Sequence, residues 1–304
     1  MVRRPPKSSK ALTWLTAIFL ISLTIISGIK IILSLNEAGD QIEDTNTTPK
    51  TPMEKTPEPK EDPRPNFIDL QPVVDQWVAS VGSNAGVYIY DLDNDKLAAS
   101  YNSDSIFFTA SVYKLFFVYE AYLRINEEID DPNEYFADGK TRIECLDKII
   151  RESYNPCADP LRYELMSEIN SIIIDKFKIE NTSNGALNAS AKAVADMLKI
   201  YYKHEGLSEE LWAKIADSML NQPATTYNWR QGLPSGFSVA KVYDKVGWNY
   251  SEEENRWTTY NDAAIVEFTD LKRHYVVVVL TKNTSHRKLV ELGSLIEQKV
   301  LEAN

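Results

Sequence analysis

The chain is poor in the residues that build metal centres. Among 304 residues there are three histidines, His204, His274 and His286, widely spaced and without an H-E-x-x-H or paired-cysteine pattern. A protein-built zinc site is therefore not expected. It also lacks a basic excess: the formal net charge is −11, which argues against a nucleic-acid partner, since such proteins carry a basic face. No internal repeat is found. Cysteine is nearly absent, with only Cys145 and Cys157.

Acidic residues are missing altogether from the first 35 positions, while Arg3, Arg4, Lys7, Lys10 and Lys30 lie there. Between Ala11 and Ile29 runs a stretch of 19 residues without a charge. At about 1.5 Å per residue such a helix crosses a bilayer core of about 30 Å. Residues 1–10 are read as a cytoplasmic basic tail and 11–35 as a single-pass anchor, which leaves the rest outside the membrane. The competing reading is a cleaved signal peptide, but no A-x-A site closes the run. Residues 36–66 are polar and acidic, with six prolines from Pro49 to Pro65, and are expected to form an extended tether. The globular part is then 67–304.

Within it, 67–81 has helical spacing and 85–104 reads as a hairpin turning at Asp93-Asn94-Asp95. Helices are expected over about 110–125, 141–152, 157–170, 189–204 and 208–220. Three strands, 238–249, 261–268 and 273–283, and a closing helix over 285–303 complete the chain. The fold class is α+β: an antiparallel sheet of about five strands, its amino- and carboxy-terminal segments side by side, with helices against it. Cys145 and Cys157, both exported, are expected to pair; the other reading is two buried free thiols.

The stretch Phe107–Tyr122 is almost wholly apolar, yet holds Ser111 and Lys114 one helical turn apart. A serine hydroxyl is a weak nucleophile until a base removes its proton. A lysine becomes such a base when burial lowers its pKa. S-x-x-K alone is a weak signal, because Ser238/Lys241 and Ser285/Lys288 also match. Two later patterns strengthen the first. Ser153-Tyr154-Asn155 is the one S-x-N lying between helices and downstream of Ser111, and Lys245-Val246-Gly247 is the one K-x-G, at a strand end.

S-x-x-K, S-x-N and K-x-G in this order resemble the class A serine β-lactamases and penicillin-binding proteins. The resemblance covers nearly all of 80–304. It implies a five-stranded antiparallel sheet with an all-helical lobe, and the site between them. It implies that Ser111 is the acylated nucleophile, Lys114 its proton acceptor and Ser153 the relay to the leaving nitrogen. Asn155 would contact the substrate amide, and Lys245 would attract its carboxylate. The backbone N–H groups of Ser111 and Trp248, beside Gly247, would hold the oxyanion. No cofactor is required. The implied partner is a small β-lactam or a peptidoglycan stem peptide, met by a membrane-tethered monomer.

The chain departs from the family in three places. The E-x-x-L-N glutamate that activates the deacylating water falls on Asn184, and the nearest acid is Glu180. Val246 replaces the threonine of K-T-G, and Tyr154 replaces the usual aspartate of S-D-N. Three readings therefore stand: a β-lactamase-type hydrolase, a D,D-peptidase or penicillin-binding protein with slow deacylation, and a catalytically dead wall-binding module.

Overall fold

Strand Arg273–Thr281 contains four consecutive valines and is buried along nearly its whole length. A β-branched run of this kind fits a strand covered on both faces. The computed structural model, which describes residues 65–82, 84–223 and 229–303, places it at the centre of a five-stranded antiparallel sheet. The basic tail, the apolar segment over 11–35 and the tether as far as residue 64 lie outside the described residues. Among the described residues no helix is long and apolar enough to cross a membrane.

The elements follow in order. Helix α1 (Gln71–Val81) leads to strands β1 (Ala85–Asp91), β2 (Lys96–Tyr101) and β3 (Ile106–Phe108). A tight turn, Ala110–Tyr113, opens into α2 (Lys114–Asn126). Short strands β4 (Tyr135–Ala137) and β5 (Lys140–Thr141) precede α3 (Arg142–Arg151) and α4 (Asn155–Leu165). Strands β6 (Thr182–Ser183) and β7 (Asn188–Ser190) follow, then α5 (Ala191–Lys203) and α6 (Glu209–Leu220). Strands β8 (Lys241–Ser251), β9 (Arg256–Phe268) and β10 (Arg273–Thr281) and helix α7 (His286–Glu302) close the chain.

The sheet order is β2-β1-β10-β9-β8. Pairing of β1 with β10, Val87 opposite Val279, sets the two ends of the domain side by side, as expected. Side chains of β10 alternate between two cores. Val276, Val278 and Leu280 join the helical lobe, and Tyr275, Val277 and Val279 join the core under α1 and α7. Helix α2 is the lobe's axis and is buried from Lys114 to Leu123, which is why its sequence is apolar on every side. Helix α3 starts on a capping box, Thr141 with Glu144.

Differences from the sequence reading are mostly at element ends. Helix α1 starts at Gln71, because residues 67–70 run extended and the Leu70 N–H bonds to Ala98 O at 3.0 Å. Helix α4 starts at Asn155 and stops at Leu165 rather than spanning 157–170. The largest difference is the β8–β9 ribbon. Both strands continue well past the expected ends, to Ser251 and back to Arg256, held by ring packing of Trp248 and Tyr250 on Trp257. Cross-strand aromatic contacts stabilise a pair that a polar, glutamate-rich composition disguises as loop.

Candidate active site

Ser111 lies in the tight turn before α2 and is half-buried. The segment ahead of it is fixed from two directions. Thr109 donates from its N–H to Leu187 O at 2.9 Å and from its hydroxyl to Ala186 O at 2.8 Å. Buried Asn261 of β9 donates to Phe108 O at 2.8 Å. Between these anchors Ala110 adopts φ +46°, a left-handed conformation that costs a non-glycine residue about 1 kcal/mol or more. The strained residue immediately precedes the nucleophile.

Strand β8 comes in against this turn, and glycine permits its approach. A Cβ on Gly247 would stand 2.2 Å from Thr109 O and 2.9 Å from Val112 Cγ2. No side chain fits there. Because β8 is the sheet's edge, Gly247 and Trp248 lie on a strand with one unpaired side next to the nucleophile.

Lys114 starts α2 and is 1% exposed. Its ammonium donates to Ser153 O at 2.8 Å, Ser153 Oγ at 3.3 Å and Asn155 Oδ1 at 2.6 Å. Burial, and then the charge of Lys245, hold its pKa well below the ordinary lysine value, against the pull of Asp159. Lys245 is equally buried and donates to the same hydroxyl, Ser153 Oγ, at 3.0 Å. Burial lowers its pKa to about 8, opposed by Asp244 and Asp262. Two cations thus bracket one hydroxyl, which accepts from both and keeps its own proton to donate. The Ser111 hydroxyl makes no hydrogen bond among the described residues, so the base stands closer to the relay than to the nucleophile in this resting arrangement.

Ser153 has φ +56°, a second strained residue at the site. Its loop is secured on both sides. Tyr154 donates from its hydroxyl to Asp138, which also pairs with Lys140. Cys145 and Cys157 are bonded, with Cα atoms 5.3 Å apart, and join α3 to α4 around the loop. Asn155 opens α4, and its amide nitrogen donates to nothing among the described residues, leaving it available.

Every residue singled out by the three motifs therefore meets in one place: Ser111, Lys114, Ser153, Asn155, Lys245, Gly247 and Trp248. The loop expected to carry the glutamate is also there, since Ala186 and Leu187 are the residues bonded to Thr109. It carries no acid at Asn184, which accepts from Arg162 Nη2 at 3.2 Å.

Sequence reasoning overlooked the back of the site. Lys245 faces the helical lobe beside Ala263, whereas Asp244, one residue earlier, faces the opposite side beside Ala264. Asp262 shares that side, and both acids are 0% exposed. Asp244 accepts from Gln222 and Arg230, each at 3.2 Å, and Asp262 accepts from the Leu233 N–H at 3.0 Å. One oxygen of each carboxylate has no partner among the described residues. Burial raises both pKa values, Asp262 furthest, with the nearby Asp244 charge adding to it. Period-two alternation around Lys245 was the available signal: an acid next to a buried strand lysine must lie on the other face.

A profile of the Beta-lactamase enzyme family matches residues 69–165 and 146–301. No curated protein matches the chain. Among solved structures, the TLA-1 extended-spectrum β-lactamase superposes with a TM-score of 0.67 at 15% identity, covering 76% of this chain and 98% of its own. The structure of PBP-A gives 0.66 at 17% identity, over 77% of this chain and 97% of that one. A class A β-lactamase from Bacteroides cellulosilyticus gives 0.64 at 17%, over 78% and 99%. At these identities the structures share the fold.

Proposed function

Because the chain belongs to the beta-lactamase enzyme family, we propose that it is a serine acyl-transfer hydrolase that opens a β-lactam or a related amide through Ser111. One observation carries the reading: two buried lysines, Lys114 and Lys245, converge on the Ser153 hydroxyl at 3.3 and 3.0 Å. A structural role does not require two buried cations on one hydroxyl, since each costs several kcal/mol to desolvate. A proton relay does require it.

In the acylation step, neutral Lys114 takes the proton of Ser111 as Oγ bonds to the carbonyl carbon. Backbone N–H groups of Ser111 and Trp248 receive the oxyanion. As the carbon–nitrogen bond breaks, Ser153 gives its proton to the leaving nitrogen and is recharged from Lys114. Lys245 attracts the substrate carboxylate, and Asn155 holds its side-chain amide.

The rate should rise with pH as Lys114 loses its proton, and fall above about 8 as Lys245 does. Incubation with a chromogenic cephalosporin should give turnover that vanishes in Ser111→Ala. Activity retained by that variant rules out the nucleophile.

A penicillin-binding reading, in which the acyl-enzyme lasts, is favoured by Asn184 at the place of the missing glutamate. PBP-A, which shares the fold, has been captured as an acyl-enzyme with penicillin G. A membrane tether before residue 67 suits work at a cell wall. Intact-mass spectra over time with a penicillin separate the two readings: a transient adduct for one, a lasting adduct for the other.

A further inference from the structure

The family's deacylating glutamate has no counterpart at Asn184, yet a carboxylate stands beside the site on a different element. On α4, Asn155, Asp159 and Arg162 follow one another at i, i+4 and i+7, a single stripe of the helix. The first of these accepts from the Lys114 ammonium at 2.6 Å. The last donates to Asn184 Oδ1 at 3.2 Å and lies over the Tyr113 ring at 5.6 Å. Asp159 is thus flanked on one side by the base of acylation and on the other by the loop position where the glutamate is absent.

Its charge acts on both neighbours of the nucleophile, raising the pKa of Lys114 and of Tyr113. The side chain is exposed, so water reaches it. It enters no hydrogen bond or ion pair among the described residues, so no structural duty accounts for it. The charged groups facing it are Lys114 and Arg162.

We propose that Asp159 is the general base that frees the acyl-enzyme. This rests on the acyl-transfer reading of Ser111. A water molecule gives one proton to the Asp159 carboxylate as its oxygen bonds to the ester carbon. The carbonyl π electrons move to oxygen and are held by the backbone N–H groups. The C=O then re-forms, the bond to Ser111 Oγ breaks, and Asp159 returns its proton to Oγ by way of neutral Lys114. Water is the only reagent consumed.

The test follows the Ser111 adduct of the full chain with benzylpenicillin by intact-mass spectrometry, in the parent, Asp159→Asn and Asp159→Glu. The parent and Asp159→Asn should acylate at similar rates. The adduct should decay about 10²-fold or more slowly in Asp159→Asn, the usual cost of losing a general base, and faster again in Asp159→Glu. Removing a negative charge beside Lys114 lowers its pKa, so the acid limb of acylation should move to lower pH in Asp159→Asn while deacylation falls. A merely structural effect would not move these two in opposite senses.

Equal decay in parent and Asp159→Asn, or a parent adduct that never decays, overturns the base alone. So does a folded Asp159→Asn that no longer acylates while the parent does. A parent that never acylates overturns the acyl-transfer reading, and this base with it.

Discussion

The two faces of β8 bury opposite charges within one residue of each other. On the lobe side Lys245 meets Lys114 across Ser153, and every ammonium has acceptors. On the far side Asp244 and Asp262 share Arg230, Gln222 and one backbone N–H, and each keeps an unpartnered oxygen. Burial pushes both sets toward neutrality, but with different consequences. A lysine driven toward neutrality becomes a base, so the cost of burying it is chemically useful. A carboxylate driven toward protonation becomes a quiet structural group. Thus the same desolvation produces reactivity on one face and a neutral support on the other.

The most severe way to break this comparison is to separate the lysine face from the nucleophile. Gly247→Ala places a methyl 2.2 Å from Thr109 O, so β8 or the turn must shift. Acylation of Ser111 by a penicillin should fall about 10²-fold, since misplacement by 1 Å has that scale. Unfolding free energy should fall by about 1–3 kcal/mol. Acylation at the parent rate would show that the close approach is dispensable.

The acid face is sharpened by Asp262→Asn. A carboxyl whose folded pKa is raised contributes stability that is complete below its unfolded value and is lost as pH rises through the folded one. The parent's melting temperature should therefore decline from about pH 4 upward, whereas Asp262→Asn, which keeps an acceptor for the Leu233 N–H, should show a shallower decline. Equal slopes in the two proteins would mean that Asp262 is ionised when folded.

The smallest effect is expected at the loop joining the lysines. Tyr154→Phe removes an exposed bond to Asp138, while the disulfide and the Lys114 bonds still hold Ser153. Acylation should change by less than about tenfold. A larger loss would make Tyr154 a principal support of the relay.

Much of the fold was legible because its signals are local. The valine run of β10, the apolar α2 and the amphipathic α3, α5 and α6 each announced their own type. The β8–β9 ribbon was not legible, because its glutamate-rich tip reads as loop and only the rings across the two strands reveal the pairing. The small β3-β7-β6 sheet escaped for a similar reason: strands of two or three residues carry no period.

The site divides along the same line. Ser111, Lys114, Ser153, Asn155 and Lys245 were readable from motif order, since that order is a property of the chain. Asp244, Asp262 and Asn261 were not singled out, because their importance comes from the side of the sheet on which they stand. Asp159 sits four residues after Asn155 in plain view, but an exposed helical acid means nothing until its neighbours are known.

By itself, then, the sequence determined which groups are available: a serine and two lysines in apolar surroundings, a strand glycine, and no glutamate in the expected loop. Only the tertiary structure decided how they act. Burying both lysines against one hydroxyl sets their pKa values, and the packing of β8 on the nucleophile's turn makes Gly247 indispensable. The register of β8 and β9 sends the acids to the other face, because burial and distance are properties of contacts between segments far apart in the chain.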